Sequence, residues 1–378
     1  MCVRLILSAL LAAGLMLACG GGGGRSTPVP ATGNLSLRLG SDSLPGYSQA
    51  VVSLEKVEAY NGGAWVTLGN VQKTVDLQAL QNGQSTLILS PTVVGAGTYT
   101  QFRLTWATVN YQSAINLPAY VVQSGTTGQV LTMPTSTVVN AAVTVPASGS
   151  TVAQIMLSGQ QAVQSRTNGT VTFQATGTAY DLSTSARIVG HLAEGTAPLA
   201  GAEVFAESVD GLGVATLQRR ALSDSAGNYA LEGLTMGTLC YVVAQPAGGT
   251  SAYAAVAAAP VNAATATTYT ANLSFGAPVT PGALALTITP ASSTTQGTWG
   301  ELRQTLATGS IGSQNLIVRS QTVATGPTTD QVVFTGLASA IYGVTAGRSL
   351  SGAAPVVKAG AQVVVSAGAT APSSLSFP

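Results

Sequence analysis

The sequence predicts an all-β protein made of tandem antiparallel β-sandwiches behind a signal peptide and a glycine-rich tether. Two observations lead to this fold class. Apolar and polar residues alternate over 35–39, 102–106 and 171–175, which is typical of strands with one buried face. Turn residues, such as those at Asn61–Gly63 and Asn82–Gly83, recur between such segments, and no long amphipathic helix is evident. Short strands separated by turns favour antiparallel sandwiches.

Composition bounds the size of the protein and its partners. The 378 residues are enough for roughly two to four domains. The 44 glycines and 17 prolines exceed average usage but stay below the level of low-complexity disorder. Because 14 basic residues face 13 acidic ones, the chain lacks the basic balance of a nucleic-acid-binding protein, and no nucleic-acid partner is predicted.

The N-terminus has the features of a secretory signal peptide. Over residues 1–18, Arg4 precedes an apolar run that is too short to span a bilayer as a stably flanked helix. The run ends in Leu15–Cys19, which resembles the lipobox of bacterial lipoproteins, with a small residue directly before the cysteine. The resemblance implies lipidation at Cys19. Residues 19–32 then form the lipidated cysteine and a flexible tether.

This resemblance implies a bacterial cell-envelope protein whose membrane partner is reached through the lipid anchor. Gly20 stands where aspartate would favour inner-membrane retention, so the sorting rules of Gram-negative lipoproteins imply the outer membrane. The alternative is an ordinary cleaved signal peptide and a released protein. Since Cys2 leaves with the signal, only Cys240 remains besides Cys19, and no disulfide is predicted in the folded part. Cys240 is expected to be buried.

Three folded regions follow the tether. They are predicted at 33–183, 184–275 and 282–378, with a linker at 276–281. Within the third region, the sequence of residues 333–346 is similar to that of residues 231–244 in the second region. The C-terminal region is therefore interpreted as a divergent copy of the second sandwich.

The first region resembles domain of unknown function 4382, a family of bacterial envelope domains found behind lipoprotein signals. The match is carried, in order, by Gly33–Leu37, Asp42 with Pro45 and Tyr47, Val52–Val57, Trp65 with Leu68, Val75–Leu80 and Gly95–Leu104. The resemblance implies an envelope location and no known activity.

The second region resembles the carboxypeptidase regulatory-like domain, an immunoglobulin-like or transthyretin-like (prealbumin-like) sandwich. The residues that carry this match are Ile188–Gly190, Pro198–Val204, Ser223–Leu231, Gly233–Gly237 and Cys240–Ala244. Asp224 can accept hydrogen bonds from the backbone amides of its own turn, and we expect Tyr229 and Leu234 to fill the core. These roles concern folding. The resemblance implies a non-enzymatic module.

Catalytic residue types are scarce. His191 is the single histidine, which excludes multi-histidine metal sites and restricts a histidine-based triad to that residue. No Gly-x-Ser-x-Gly elbow accompanies it. The sequence therefore predicts no enzyme activity, no catalytic residue, no cofactor and no metal. An alternative is an unrecognised hydrolase-type site that depends on His191 or on a carboxylate.

Tryptophans are the candidate binding residues. β-Sandwiches that bind sugars use exposed aromatic faces as stacking platforms. Trp299, within a polar stretch, is the first candidate and Trp65, after a glycine turn, is the second; Trp106 follows a core pattern. For Trp299 the commoner outcome is partial burial under a loop. Two hypotheses remain: a non-catalytic lipoprotein that displays its sandwiches to an envelope protein for binding, adhesion or spacing, and a carbohydrate-binding surface lipoprotein with a polysaccharide partner.

Overall fold

The computed structural model describes residues 30–44, 46–112, 117–123, 127–159, 162–165, 169–248, 251–289, 295–323, 329–350 and 356–377. The predicted all-β class is confirmed. Within these ranges the helices are three short 3-10 turns, Leu77–Leu80, Leu182–Thr184 and Gly309–Ile311, and none is long and apolar enough to cross a membrane.

The N-terminal region, residues 30–181, is a sheet that curls around one core. Its strands are β1 (Thr32–Ser41), β2 (Tyr47–Tyr60), β3 (Trp65–Asp76), β4 (Thr86–Gly95), β5 (Gly97–Trp106), β6 (Tyr120–Gln123), β7 (Gln129–Thr132), β8 (Ser136–Val145), β9 (Ser150–Leu157), β10 (Val163–Ser165), β11 (Val171–Phe173) and β12 (Gly177–Asp181).

The order of the main path is β4-β1-β9-β12-β8-β5-β2-β3, and a branch β6-β7-β11-β10 leaves the first half of β2. At the two ends of the path, the Nζ of Lys73 on β3 donates to Thr86 Oγ1 at 2.7 Å and to the Leu87 carbonyl at 2.9 Å on β4. The curled sheet therefore closes through side-chain bonds. Two pairings on this path, β1–β9 and β8–β12, are parallel.

The alternation read from the sequence matches the burial of these strands. Leu35, Leu37 and Leu39 of β1 are fully buried, and Phe102, Leu104 and Trp106 of β5 lie in the same core. The segment from Gly169 to Tyr180 contains two strands in different parts of the sheet. β11 pairs with β7 and β10, whereas β12 pairs with β8 and β9.

The middle region, residues 185–275, is a two-layer sandwich. Its strands are β13 (Ser185–Glu194), β14 (Ala197–Pro198), β15 (Glu203–Val209), β16 (Ala215–Leu222), β17 (Asn228–Thr235), β18 (Leu239–Ala244), β19 (Ala247–Gly248), β20 (Ser251–Ala252), β21 (Val256–Ala257), β22 (Val261–Asn262), β23 (Thr268–Thr270) and β24 (Leu273–Phe275). The first layer groups β14, β17, β23 and β24 around β13, and the second has the order β16-β15-β18-β21 with β22 also on β18.

The C-terminal region, residues 282–377, repeats this topology. Its strands are β25 (Gly282–Thr289), β26 (Thr295–Ala307), β27 (Ser313–Val323), β28 (Asp330–Leu337), β29 (Ala340–Leu350), β30 (Val356–Val365) and β31 (Thr370–Ser376).

One layer has the order β28-β25-β31 and the other β27-β26-β29-β30. In both regions the first strand pairs antiparallel with a middle strand and parallel with the last, as β13 does with β17 and β24 and β25 does with β28 and β31. The order of strands in the two regions is thus the same.

The middle and C-terminal regions share apolar packing. Along β18, Cys240, Val242 and Ala244 belong to the core of the middle region, whereas Tyr241 and Val243 belong to the core of the C-terminal region. A strand with alternate residues in two cores is buried on both faces. The expected linker, residues 276–281, is hydrogen-bonded to the middle region, because Val279 and Ala252 exchange two backbone hydrogen bonds of 2.8 and 3.0 Å.

Candidate functional site

Trp299, the first predicted stacking platform, is buried. It lies on β26 opposite Gly347 of β29, and its side chain is 6% exposed. The ring occupies the space where a side chain at 347 would lie, since a Cβ there would be 2.0 Å from Trp299 Cζ2. The expectation of an exposed ring is corrected by this packing, because neither face is open to a sugar. Cys19, the predicted lipidation site, lies outside the described residues.

Trp65, the second predicted platform, lies at the tip of the hairpin formed by β2 and β3 and is half-buried. It pairs across the strands with Tyr60, and their ring centres are 5.4 Å apart at an interplanar angle of 47°. The Cζ atom of Arg103, on neighbouring β5, lies 4.4 Å from the centre of the Trp65 ring. This is cation–π geometry. We call Tyr60, Trp65 and Arg103 the hairpin-tip surface.

A buried carboxylate holds Arg103 in place over the ring. Glu58, 7% exposed, accepts a hydrogen bond of 2.7 Å from Nε of Arg103 and pairs with Lys56 at 3.2 Å. The hydrogen bond from Arg103 is the largest cause that lowers the pKa of Glu58, so the carboxylate stays charged at neutral pH. With two cations and one anion, this cluster carries a net positive charge.

The chemistry of this surface is that of a contact site. Trp, Tyr and Arg are the side chains most enriched at the energetic centres of protein interfaces. Here they are ordered by cross-strand packing and an ion pair before any partner arrives, which lowers the entropy that binding would cost. One face of Trp65 is covered by the guanidinium, which leaves less ring surface for stacking on a sugar.

Cys240 and His191 lie on different strands of the middle region, β18 and β13. Cys240 is 1% exposed, and burial raises the pKa of its thiol to about 11, so the reactive thiolate is disfavoured. His191 is half-buried on β13, and its backbone N–H donates to Asn272 Oδ1 at 3.0 Å. Across the part of the chain that the structure describes, no three His, Cys, Asp or Glu side chains come together as metal ligands would.

The turn roles expected in the middle region are confirmed. Asp224 Oδ1 accepts the backbone N–H groups of Ala226 and Asn228 at 2.9 and 2.8 Å. Tyr229 and Leu234 are each 2% exposed in the core. Asp224 is therefore a turn residue in the structure, as its position in the sequence predicts.

Two carboxylates are buried at the contacts between regions. Glu207 of β15 is fully buried, and its Oε2 accepts the backbone N–H of Ile317 on β27 at 2.9 Å. Burial raises the pKa of Glu207 to about 8. Asp42, at the end of β1, accepts backbone N–H groups of Arg220 and Gly159, and burial raises the pKa of Asp42 to about 6.

Sequence reasoning missed Tyr60, Arg103 and the buried charges. Tyr60 and Trp65 flank the Asn-Gly-Gly turn that the sequence reveals, so hairpin register could have paired them. Arg103 alternates with the buried Phe102 and Leu104 and is placed on the outer face by that pattern. Its position beside Trp65 depends on β5 lying next to β2, which the pattern alone does not specify.

Comparisons with known proteins support the first region's resemblance. Residues 32–175 match the family of a domain of unknown function, DUF4382. The comparison with curated protein sequences finds no match.

Several solved structures are similar in part. The TIE protein of Bacillus anthracis is 9% identical with a TM-score of 0.22, and the match covers 92% of this chain and 50% of that one. A streptococcal ancillary pilin is 9% identical with a TM-score of 0.21, covering 91% and 99%. The fimbrial anchor protein Mfa2 of Porphyromonas gingivalis is 12% identical with a TM-score of 0.20, covering 42% and 77%. This chain thus spans about half the length of the first of them.

Proposed function

We propose that this protein is a non-catalytic lipoprotein of the bacterial cell envelope, anchored in the outer membrane through Cys19, that binds an envelope or surface protein. In this proposal the three regions display and space a contact surface, and the middle region is a carboxypeptidase regulatory-like module. The observation that carries the binding role is the hairpin-tip surface. It combines an aromatic pair with a guanidinium fixed by the buried Glu58.

The choice of a protein partner over a sugar follows from the geometry of Trp65. A sugar platform needs a free aromatic face with amides and hydroxyls at its rim. Instead, Arg103 covers one face of the ring and Tyr60 lies 5.4 Å from it. A half-buried Trp–Tyr–Arg cluster with a net positive charge fits a partner surface that offers apolar groups and carbonyl or carboxylate acceptors.

The test of the binding role compares two neighbouring substitutions in the full-length chain. Trp65→Ala removes the centre of the surface, whereas Val66→Ala removes an exposed apolar side chain that lies on the opposite face of the same strand. Proteins captured from the detergent-solubilised envelope of the host are identified, and their affinities are measured for each variant. We expect Trp65→Ala to weaken the interaction by more than about tenfold and Val66→Ala to leave it unchanged.

Three results would overturn the protein-binding proposal. The first is an unchanged affinity in Trp65→Ala, and the second is an equal loss of affinity in Val66→Ala. The third is retention of the parent on an insoluble polysaccharide, lost in Trp65→Ala, which would favour the carbohydrate hypothesis. The anchor is tested separately by Cys19→Ala, which we expect to release the protein from the membrane fraction. Unchanged fractionation would refute the lipid anchor alone.

A further inference from the structure

A cavity of about 300 Å³ lies where all three regions meet. The N-terminal region contributes Leu44 and Val163 to its wall, the middle region contributes Arg220, and the C-terminal region contributes Arg319 and Phe334. This cavity is separate from the hairpin-tip surface and does not depend on the function proposed there. Its volume corresponds to about ten water molecules at ~30 Å³ each, or to a small organic molecule.

Two arginines line the cavity, and among the described residues only Arg220 has a carboxylate within 4.0 Å. Arg220 is 4% exposed, its Nε lies 3.2 Å from Glu203 Oε1, and its Nη2 donates to the backbone carbonyl of Ser320. Arg319 makes a long bond of 3.4 Å from Nη2 to the carbonyl of Gly336. The buried Nε of Arg319 has no hydrogen-bond partner, and no carboxylate lies within 4.0 Å of its guanidinium among the described residues.

The surrounding charges leave an excess of one positive charge. Among the described residues that line the cavity, Arg220 and Arg319 carry positive charges and Glu203 carries a negative charge. Two guanidinium groups and one carboxylate therefore line the cavity. A partly buried cation without a carboxylate beside it is costly, and a bound anion removes that cost through charge-assisted hydrogen bonds.

The cavity is also lined by apolar side chains. Phe334 is 3% exposed and Val163 is 5% exposed, and both line the cavity together with Leu44. A fully hydrated inorganic anion would gain nothing from these side chains. An anion with a short apolar body would fill the space against them while its charged end reaches the guanidinium.

We propose that this cavity binds a small organic monocarboxylate, with the carboxylate on Arg319 and the apolar body against Phe334 and Val163. The single excess charge matches one carboxylate, and a guanidinium has five N–H donors, of which one on Arg319 makes the 3.4 Å bond to Gly336. Binding at this point would also hold the three regions together, because each contributes part of the wall.

The experiment titrates the full-length chain with benzoate in a calorimeter, with benzamide and inorganic phosphate as comparison ligands. We expect saturable 1:1 binding of benzoate, with benzamide and phosphate at least about tenfold weaker. Arg319→Gln should weaken benzoate by about tenfold or more, whereas Arg187→Gln, which removes a half-exposed guanidinium outside the cavity, should not.

A second substitution protects the test against misfolding of Arg319→Gln. Gln321 is exposed and lines the cavity, so Gln321→Glu adds a negative charge with almost no change of shape. It should weaken benzoate severalfold, while Gln362→Glu, an exposed position on β30 outside this cavity, should leave it unchanged. The proposal is overturned by no saturable binding up to about 20 mM, by benzamide or phosphate binding as tightly as benzoate, or by full affinity in Gln321→Glu.

Discussion

Trp299 and Gly347 face each other across strands β26 and β29, and the indole ring lies over the glycine. A methyl group at 347 would approach Trp299 Cζ2 to 2.0 Å. Such an approach requires the ring or the backbone to move. The absence of a side chain at 347 is therefore what allows this tryptophan to be buried.

We predict that Gly347→Ala destabilises the protein by about 1–3 kcal/mol, the usual cost of overpacking a core. Gly343→Ala is the matched control on the same strand. Its added Cβ would meet Arg303 Cβ at 3.6 Å, which is ordinary contact, so the free energy of unfolding should change by less than about 1 kcal/mol. Urea denaturation of the two variants measures the difference. Equal costs would show that the ring does not constrain position 347.

The buried Glu207 should make stability depend on pH. Burial raises the pKa of its carboxyl from 4.5 to about 8, although Arg303 nearby favours the charged form. The folded protein thus holds this proton more tightly than the unfolded chain does. Its contribution to stability is complete below about pH 4.5 and is lost as the pH rises through 8.

In Glu207→Gln this loss should be reduced. The amide is neutral at every pH, and its oxygen can still accept the N–H of Ile317. We expect the parent to lose stability between pH 6 and pH 9 more steeply than the variant, measured by urea midpoints at fixed ionic strength. Glu194→Gln, at a half-buried glutamate in the same region, should follow the parent's profile. Parallel profiles for parent and Glu207→Gln would contradict the prediction.

The two faces of β18 predict joint unfolding of the middle and C-terminal regions. Val242 and Val243 are both fully buried but belong to different cores. Val242→Ala and Val243→Ala should each cost about 1–3 kcal/mol. Hydrogen exchange in either variant should accelerate in both regions. Acceleration confined to one region, or two separate unfolding transitions, would show that the regions are independent.

Two buried tyrosines donate hydrogen bonds from their hydroxyl groups to backbone carbonyls near strand ends. Removing the two hydroxyl groups should lower the free energy of unfolding by different amounts. Tyr99 OH donates to the Gly95 carbonyl at 2.7 Å, and Tyr342 OH donates to the Ala338 carbonyl at 2.8 Å. Tyr342 OH also accepts Nε2 of the buried Gln245 at 2.6 Å. Tyr99→Phe should cost about 0.5–1.5 kcal/mol, and Tyr342→Phe about 1–3 kcal/mol because it leaves a buried amide donor unpaired. Thermal denaturation of the two variants would compare them, and an equal cost would argue against the role of Gln245.

Local features of the fold were predictable because they depend on neighbouring residues. The alternation at Leu35–Leu39 places one face of β1 in the core, and the Asp224 turn follows from side-chain bonds over four residues. The parallel pairing of β1 with β9 and the split between β11 and β12 depend on which distant strands meet. Alternation specifies which face is buried but not the partner strand.

Among the candidate site residues, too, some depend on neighbouring residues and others on distant parts of the chain. Trp65 could be placed at an exposed turn from the glycines before it, whereas the burial of Trp299 depends on Gly347, which is 48 positions away in the chain. Arg220 and Arg319 belong to different regions and meet only where the regions pack. In an alternating strand pattern, a single arginine is predicted to be exposed to solvent. The sequence around Arg220 and Arg319 therefore does not predict the cavity.

The place of β1 in its sheet has a mechanical consequence. The chain before Thr32 leads directly into a strand that is hydrogen-bonded on both sides, to β4 and to β9. A pull applied along that strand from its N-terminal end loads both ladders in shear, so many bonds must break together instead of one after another. A molecule held by its N-terminal segment would resist tension at this strand, and its lifetime under load would be governed by the unfolding rate of the N-terminal sheet.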